Sequence, residues 1–125
     1  MDTNNPVIAL CMAGSRAELE GRRADAYALY AQAWEAASDD YEACIAAHYV
    51  ARGFTDPGEI FHWNREALDR AEAVDDERIQ PFFPSLYLNM GRSYELLGEQ
   101  TEAERFYALA AALGAVHQPE HTNRK

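Results

Sequence analysis

Apolar side chains recur along this chain at intervals of three and four, the period of helices that bury one face. Six stretches carry the pattern: 6–20, 22–37, 40–53, 58–75, about 80–97 and 99–116. Their boundaries are written in local chemistry. Asn5-Pro6 supplies an N-cap and first-turn proline for the first helix, and Asp39 or Asp40 caps the third. Asp56-Pro57-Gly58-Glu59 reads as another start, with Asp56 at the cap, Pro57 in the first position and Glu59 in the third. Behind it Ile60, Trp63, Ala67, Ala71 and Val74 form one stripe. Pro81 and Pro84 blur the fifth start, because each removes a backbone donor and crowds the preceding turn. Either that helix begins at Pro84 or a kinked turn precedes it. No convincing strand pattern appears, and the expected class is all-α.

The chain also repeats itself. When Gly14 is laid on Gly91, Glu18 falls on Glu95, Leu19 on Leu96 and Gly21 on Gly98 without a gap. Ala26 then meets Ala103, Tyr30 meets Tyr107, Ala31 meets Ala108 and Ala33 meets Ala110. Glycine inside a helix costs about 1 kcal/mol against alanine, so Gly14 and Gly91 need a close neighbour to explain them. Gly21 and Gly98 stand where a helix ends on a left-handed residue. Ala26 and Ala33, with Tyr30 between them, place small-large-small on one stripe, and Ala103, Tyr107 and Ala110 repeat it. Each unit is a helix pair made for tight stacking.

These residues resemble the tetratricopeptide repeat family. Its pattern reads here as Tyr87, Met90, Gly91, Tyr94, Gly98, Ala103, Tyr107 and Ala110, and again as Leu10, Ala13, Gly14, Ala17, Gly21, Ala26, Tyr30 and Ala33. The resemblance implies one domain over 1–117, with repeats at about 7–40, 41–83 and 84–117 and a polar tail at 118–125. The middle unit departs from the pattern: His48 replaces the glycine, Ala51 the tyrosine, and about nine residues are added relative to a 34-residue repeat. The family's architecture is a right-handed stack of antiparallel helix pairs whose first helices line a concave groove. Carried over by position, that groove holds Ile8, Cys11, Met12 and Ser15, then Glu42, Ile45, Tyr49 and Arg52, then Ser85, Leu88, Asn89, Arg92 and Glu95. Tyr49, Arg52 and Arg92 suit anchoring roles. The family's clamp for a C-terminal carboxylate does not fit, since Cys11, Ser15, Ser85 and Asn89 stand at its lysine, asparagine and arginine positions. The resemblance thus implies a scaffold or adaptor that binds a protein or peptide. Trp63 to Gly91 further resembles a stretch of short bacterial proteins of this family, some described as rRNA adenine methyltransferases. That activity needs a glycine-rich loop after a strand; the sequence has neither.

Charge narrows the partners. With 21 acidic and 11 basic residues the net charge is −10, which repels nucleic-acid backbones. No apolar run reaches the roughly eighteen residues of a membrane span. The N-terminus lacks the basic and apolar segments of a secretory signal, and Cys11 and Cys44 form no disulfide framework, so a reducing cytoplasm is expected. Neither cysteine has a basic neighbour at helical spacing to activate it. His117-Gln118-Pro119-Glu120-His121 matches a zinc-peptidase spacing, but Pro119 breaks the helix that spacing requires. Trp63 belongs to the apolar stripe, His62 and Asn64 fall off it and are expected at the surface, and His48 reads as a hydrogen-bonded core histidine. No catalytic residue, cofactor or metal is expected.

A second function is self-association. From Phe106 to Val116 there is no charged residue. With Tyr107 and Ala110 facing inward, Phe106, Leu109, Leu113 and Val116 form another apolar stripe on the last helix, the surface of a possible homodimer.

Overall fold

The computed structural model describes residues 4–115, and these form six α-helices. They are α1 (Pro6–Leu19), α2 (Arg23–Ala36), α3 (Asp40–Val50), α4 (Pro57–Ala73), α5 (Phe83–Leu96) and α6 (Gln100–Ala112). No strand occurs among the described residues. No described helix is long and apolar enough to cross a membrane.

The caps act as their residue types dictate. The Asn5 side chain accepts hydrogen bonds from the Val7 and Ile8 amides at 2.8 and 3.2 Å. Asp39 accepts from Glu42 at 2.8 Å and Asp56 from Glu59 at 3.0 Å, so Asp39, not Asp40, caps α3. Gly21 and Gly98 close α1 and α5 with φ of 81° and 79°. Both ends are wired alike: the Arg22 amide donates to the Ala17 carbonyl and the Glu99 amide to the Tyr94 carbonyl. Gly114 does the same for α6 at φ 93°, which stops that helix at Ala112 and not at 116. The expected third helix loses its last turn: α3 ends at Val50, and Ala51–Gly53 tighten into a 3-10 turn. Gly53 lies on the Tyr27 ring, where an added Cβ would come within 3.3 Å. At the fifth start, Glu77–Phe82 form a 3-10 turn containing Pro81, and α5 begins at Phe83. Missing amide hydrogens at two closely spaced prolines leave no regular α-helical ladder there.

Helices pair in sequence order, α1 on α2, α3 on α4 and α5 on α6, with α2 against α3 and α4 against α5. Ala17 meets Ala26 while Cys11 shares a cluster with Ala33, so the members of the first pair run antiparallel. The tight fit comes from a glycine under a tyrosine. A Cβ at Gly14 would stand 2.8 Å from Tyr30 Cδ1, and one at Gly91 would stand 2.6 Å from Tyr107 Cδ1. Each tyrosine hydroxyl donates to the glutamate one turn beyond its glycine, Tyr30 to Glu18 and Tyr107 to Glu95, both at 2.5 Å.

Trp34, Tyr41 and Phe82 contact two of the core clusters and join them, and Tyr49 joins the third. Trp34 and Trp63 meet edge to face at 5.1 Å, and the Arg70 guanidinium lies over Trp34 while pairing with Asp40 and Glu66. Asn64 departs from expectation. It is buried and donates to Ser93 Oγ at 2.9 Å, while Ser93 donates to the Asn89 carbonyl. This polar pair sits between α4 and α5, where an unsatisfied group would be costly, and it therefore favours one register of the two helices.

Candidate functional site

Two sets of contacts show that α1, α3 and α5 run the same way. Asn5 donates to Glu42 near the starts of α1 and α3, and Arg52 pairs with Glu18 near their ends. Tyr41 stacks on Phe82, and further along Asn89 reaches His48. The two spacings are not equal, however. α1 packs along α3, whereas α5 makes no comparable contact with α3. The cause lies in the middle pair. The 17-residue α4 and the 3-10 turn at Glu77–Phe82 carry the chain away from α3 before α5 begins.

A cleft of about 140 Å³ fills the gap. Cys44, Ile45, His48 and Tyr49 of α3 form one wall, and Pro81, Phe82, Ser85 and Leu86 form the other. Most of this lining is apolar, with Ser85 on the exposed rim and His48 in the floor. Asn89 Nδ2 lies 3.2 Å from His48 Nδ1 and can only donate to it, which places the ring proton on Nε2. Burial, assisted by the nearby Arg52 charge, holds the His48 pKa below the usual histidine range, in keeping with a neutral acceptor ring. Burial also pushes the Cys44 thiol up to about 12, far from thiolate reactivity.

Of the residues the repeat alignment assigns to a concave face, Ile45, Tyr49 and Ser85 line this cleft. Asn89 supports its floor, and exposed Arg92 lies 3.4 Å from the Asn89 amide oxygen. Met12, Ser15 and Leu88 are half-buried and do not line it. Four assignments are corrected. Ile8 and Cys11, 1% and 0% exposed, belong to the core. Arg52 is engaged with Glu18 at 2.7 and 3.2 Å. Glu42 accepts from Ser38 and Asn5 and serves as a cap. The alignment missed His48, Phe82 and Leu86 as lining. The signal available was Pro81-Phe82-Phe83-Pro84, which forbids a regular helix and spaces α5 from α3.

The stripe expected on the last helix is also revised. Phe106 is 5% exposed, facing Tyr94 at 5.7 Å and Tyr87 at 6.1 Å, so it belongs to the core. Leu109 and Leu113 are exposed, and Val116 lies outside the described residues. The His117–His121 motif and the tail at 118–125 lie outside them too. Among the described residues no group of histidine, cysteine and carboxylate side chains could hold a metal ion. His62 is exposed as expected, and Trp63 packs against the core.

Comparisons with family models, curated proteins and solved structures find no match.

Proposed function

We propose that this protein is a binding module that seats a segment of another protein in the cleft between α3 and α5. The cleft itself carries the reading. It is open, mostly apolar and of a size to take one side chain, with the few polar groups that fix an orientation. A tetratricopeptide-like, right-handed stack is the arrangement that goes with it. The glycine-tyrosine seats, the two glycine-closed first helices and the parallel course of α1, α3 and α5 support that arrangement. The ligand expected from the lining is an apolar or aromatic side chain flanked by polar backbone that Ser85 and Tyr49 can meet.

Peptides selected from a displayed library on the wild type provide the test, with binding read by fluorescence anisotropy. Ser85→Trp fills the cleft from its exposed rim and is expected to abolish binding without loss of helical circular dichroism, while Ser85→Ala retains it. Arg92→Glu serves as the milder surface probe, because replacing Arg52 would disturb Glu18. Undiminished binding by a folded Ser85→Trp protein would overturn the proposal. Self-association is the second reading, carried by the exposed leucines of the chain.

A further inference from the structure

His48 has two ring nitrogens, and the fold engages one of them. Nδ1 accepts from Asn89 Nδ2 at 3.2 Å, the only hydrogen bond that joins α3 to α5 among the described residues. The Asn89 oxygen is turned the other way and accepts from Arg92 at 3.4 Å. Donors therefore run in one direction, from Arg92 through Asn89 to the ring. Burial keeps that ring neutral, so its single proton lies on Nε2. This N–H donates to no acceptor among the described residues, although His48 lines the cleft. Solvent satisfies such a donor until an occupant displaces it. The occupant must then supply an acceptor or leave the N–H unmet.

Charge narrows what that occupant can be. No charged side chain lines the cleft. Arg52, one turn beyond His48, is committed to Glu18, and exposed Arg92 lies outside the lining. A carboxylate or ammonium seated here would lose its hydration without gaining a counter-ion. Complementarity of charge thus selects a neutral side chain, and the ring N–H calls for an oxygen at its tip. Tyr49 on one wall and Phe82 on the other offer aromatic surface against which a flat ring packs well. A carboxamide could reach the same N–H, but it brings two donor protons into an apolar lining where a phenol brings one. Leucine or phenylalanine would fill the space and leave His48 unmet.

We infer that the cleft takes a tyrosine of the partner segment, its ring between the Tyr49 and Phe82 walls and its hydroxyl oxygen accepting from His48 Nε2–H. The inference rests on the cleft being the binding site and names what enters it. His48 then sets the specificity. A site with a donor to satisfy rejects the analogue that lacks the oxygen more strongly than an apolar pocket separates two shapes.

Acetyl-tyrosinamide and acetyl-phenylalaninamide are the probes, since they differ by one oxygen. Titrated into nitrogen-15-labelled protein and followed by NMR, the tyrosine probe is expected to bind roughly tenfold more tightly. It should also shift the His48 Nε2 resonance and be excluded by Ser85→Trp. His48→Leu, with circular dichroism as the folding control, should bring the two affinities together by weakening the tyrosine probe. Peptides selected on the wild type should share a tyrosine whose replacement by phenylalanine costs a similar factor. Equal affinity of the two probes, or peptides that Ser85→Trp excludes but that lack this tyrosine, would overturn the inference and leave the binding role of the cleft standing. A tyrosine preference that survives in folded His48→Leu overturns it too, as does a wild-type ring that carries its proton on Nδ1. Should His48→Leu fail to fold, the ring proton and the Nε2 shift on binding decide the matter. Absence of any occupant, probe or peptide, removes both readings together.

Discussion

Tyr30 and Tyr107 sit on equivalent glycines and reach equivalent glutamates, yet their surroundings differ. Tyr30 is 1% exposed, stacked on Tyr49 at 5.3 Å, and its acceptor Glu18 is gripped again by Arg52. Tyr107 is half-buried, and Glu95 pairs with no arginine among the described residues. The same local seat is therefore completed by α3 in the first helix pair and left at the surface in the third. Stability is therefore expected to reside partly in each helix pair and partly in the helix packed beside it.

Adding one methyl group to each seat separates the two contributions most strongly. Gly14→Ala drives a Cβ into a ring that Tyr49 and α3 hold in place. After the gain in helix propensity it is expected to cost about 2 kcal/mol. Gly91→Ala drives a Cβ into a ring that is half-buried and not stacked on a neighbouring tyrosine, and should cost less, about 1 kcal/mol. Urea denaturation of the two variants decides the matter; equal losses would mean that α3 does not confine Tyr30.

Removing the second grip on Glu18 should have a smaller effect. Arg52 is more than half exposed, so Arg52→Met is expected to cost about 0.5–1 kcal/mol, screened by solvent. Tyr30→Phe should cost about 1 kcal/mol, and Tyr107→Phe at the exposed seat about half that. A double-mutant cycle between Arg52 and Tyr30 measures how far they act through Glu18. Strict additivity would make them independent.

The smallest difference is in acid sensitivity. Hydrogen bonding to Arg52, with that to Tyr30, holds the Glu18 carboxyl below its usual range. A folded-state pKa below the unfolded one gives stability that is complete above about pH 4.3 and is lost as pH falls through the folded value. Glu18→Gln should therefore flatten the acid limb of the stability curve. His48, also depressed, contributes stability that is present above about pH 6.5 and declines below it. His48→Gln should remove that earlier decline, read as the change in urea midpoint between about pH 7 and about pH 5. An unaltered pH profile in either variant would assign the dependence elsewhere.

Much of the fold was legible because its instructions are local. Asn5, Asp39 and Asp56 mark helix starts through bonds that span three residues, and Gly21 and Gly98 mark ends through their own backbone. The glycine-tyrosine register also showed, since it recurs. What escaped depends on contacts between distant segments. Asn64 lies off the apolar stripe of α4, and only Ser93 on α5 makes its burial tolerable. Phe106 looked like surface because its partners, Tyr87 and Tyr94, are aromatic residues of α5 and not a repeated motif. Arg52 looked available until the α1–α3 spacing brought Glu18 to it. The cleft is the same kind of feature: Tyr49 and Ser85 were placed by the repeat, but their shared space depends on how far the Pro81–Pro84 segment spaces α5 from α3.

The missing glycine in the middle pair bears on the order of assembly during synthesis. With His48 where α1 and α5 have glycine, α3 and α4 lack a seat of their own and settle largely against α1, α2 and α5. As the chain leaves the ribosome, the first pair can dock before α3 emerges, and Tyr30 and Trp34 then offer α3 and α4 a surface on which to settle. Vectorial synthesis thus matches the gradient of self-sufficiency along the polypeptide, and a version of the chain permuted to begin at Asp40 would have to fold its least independent part first.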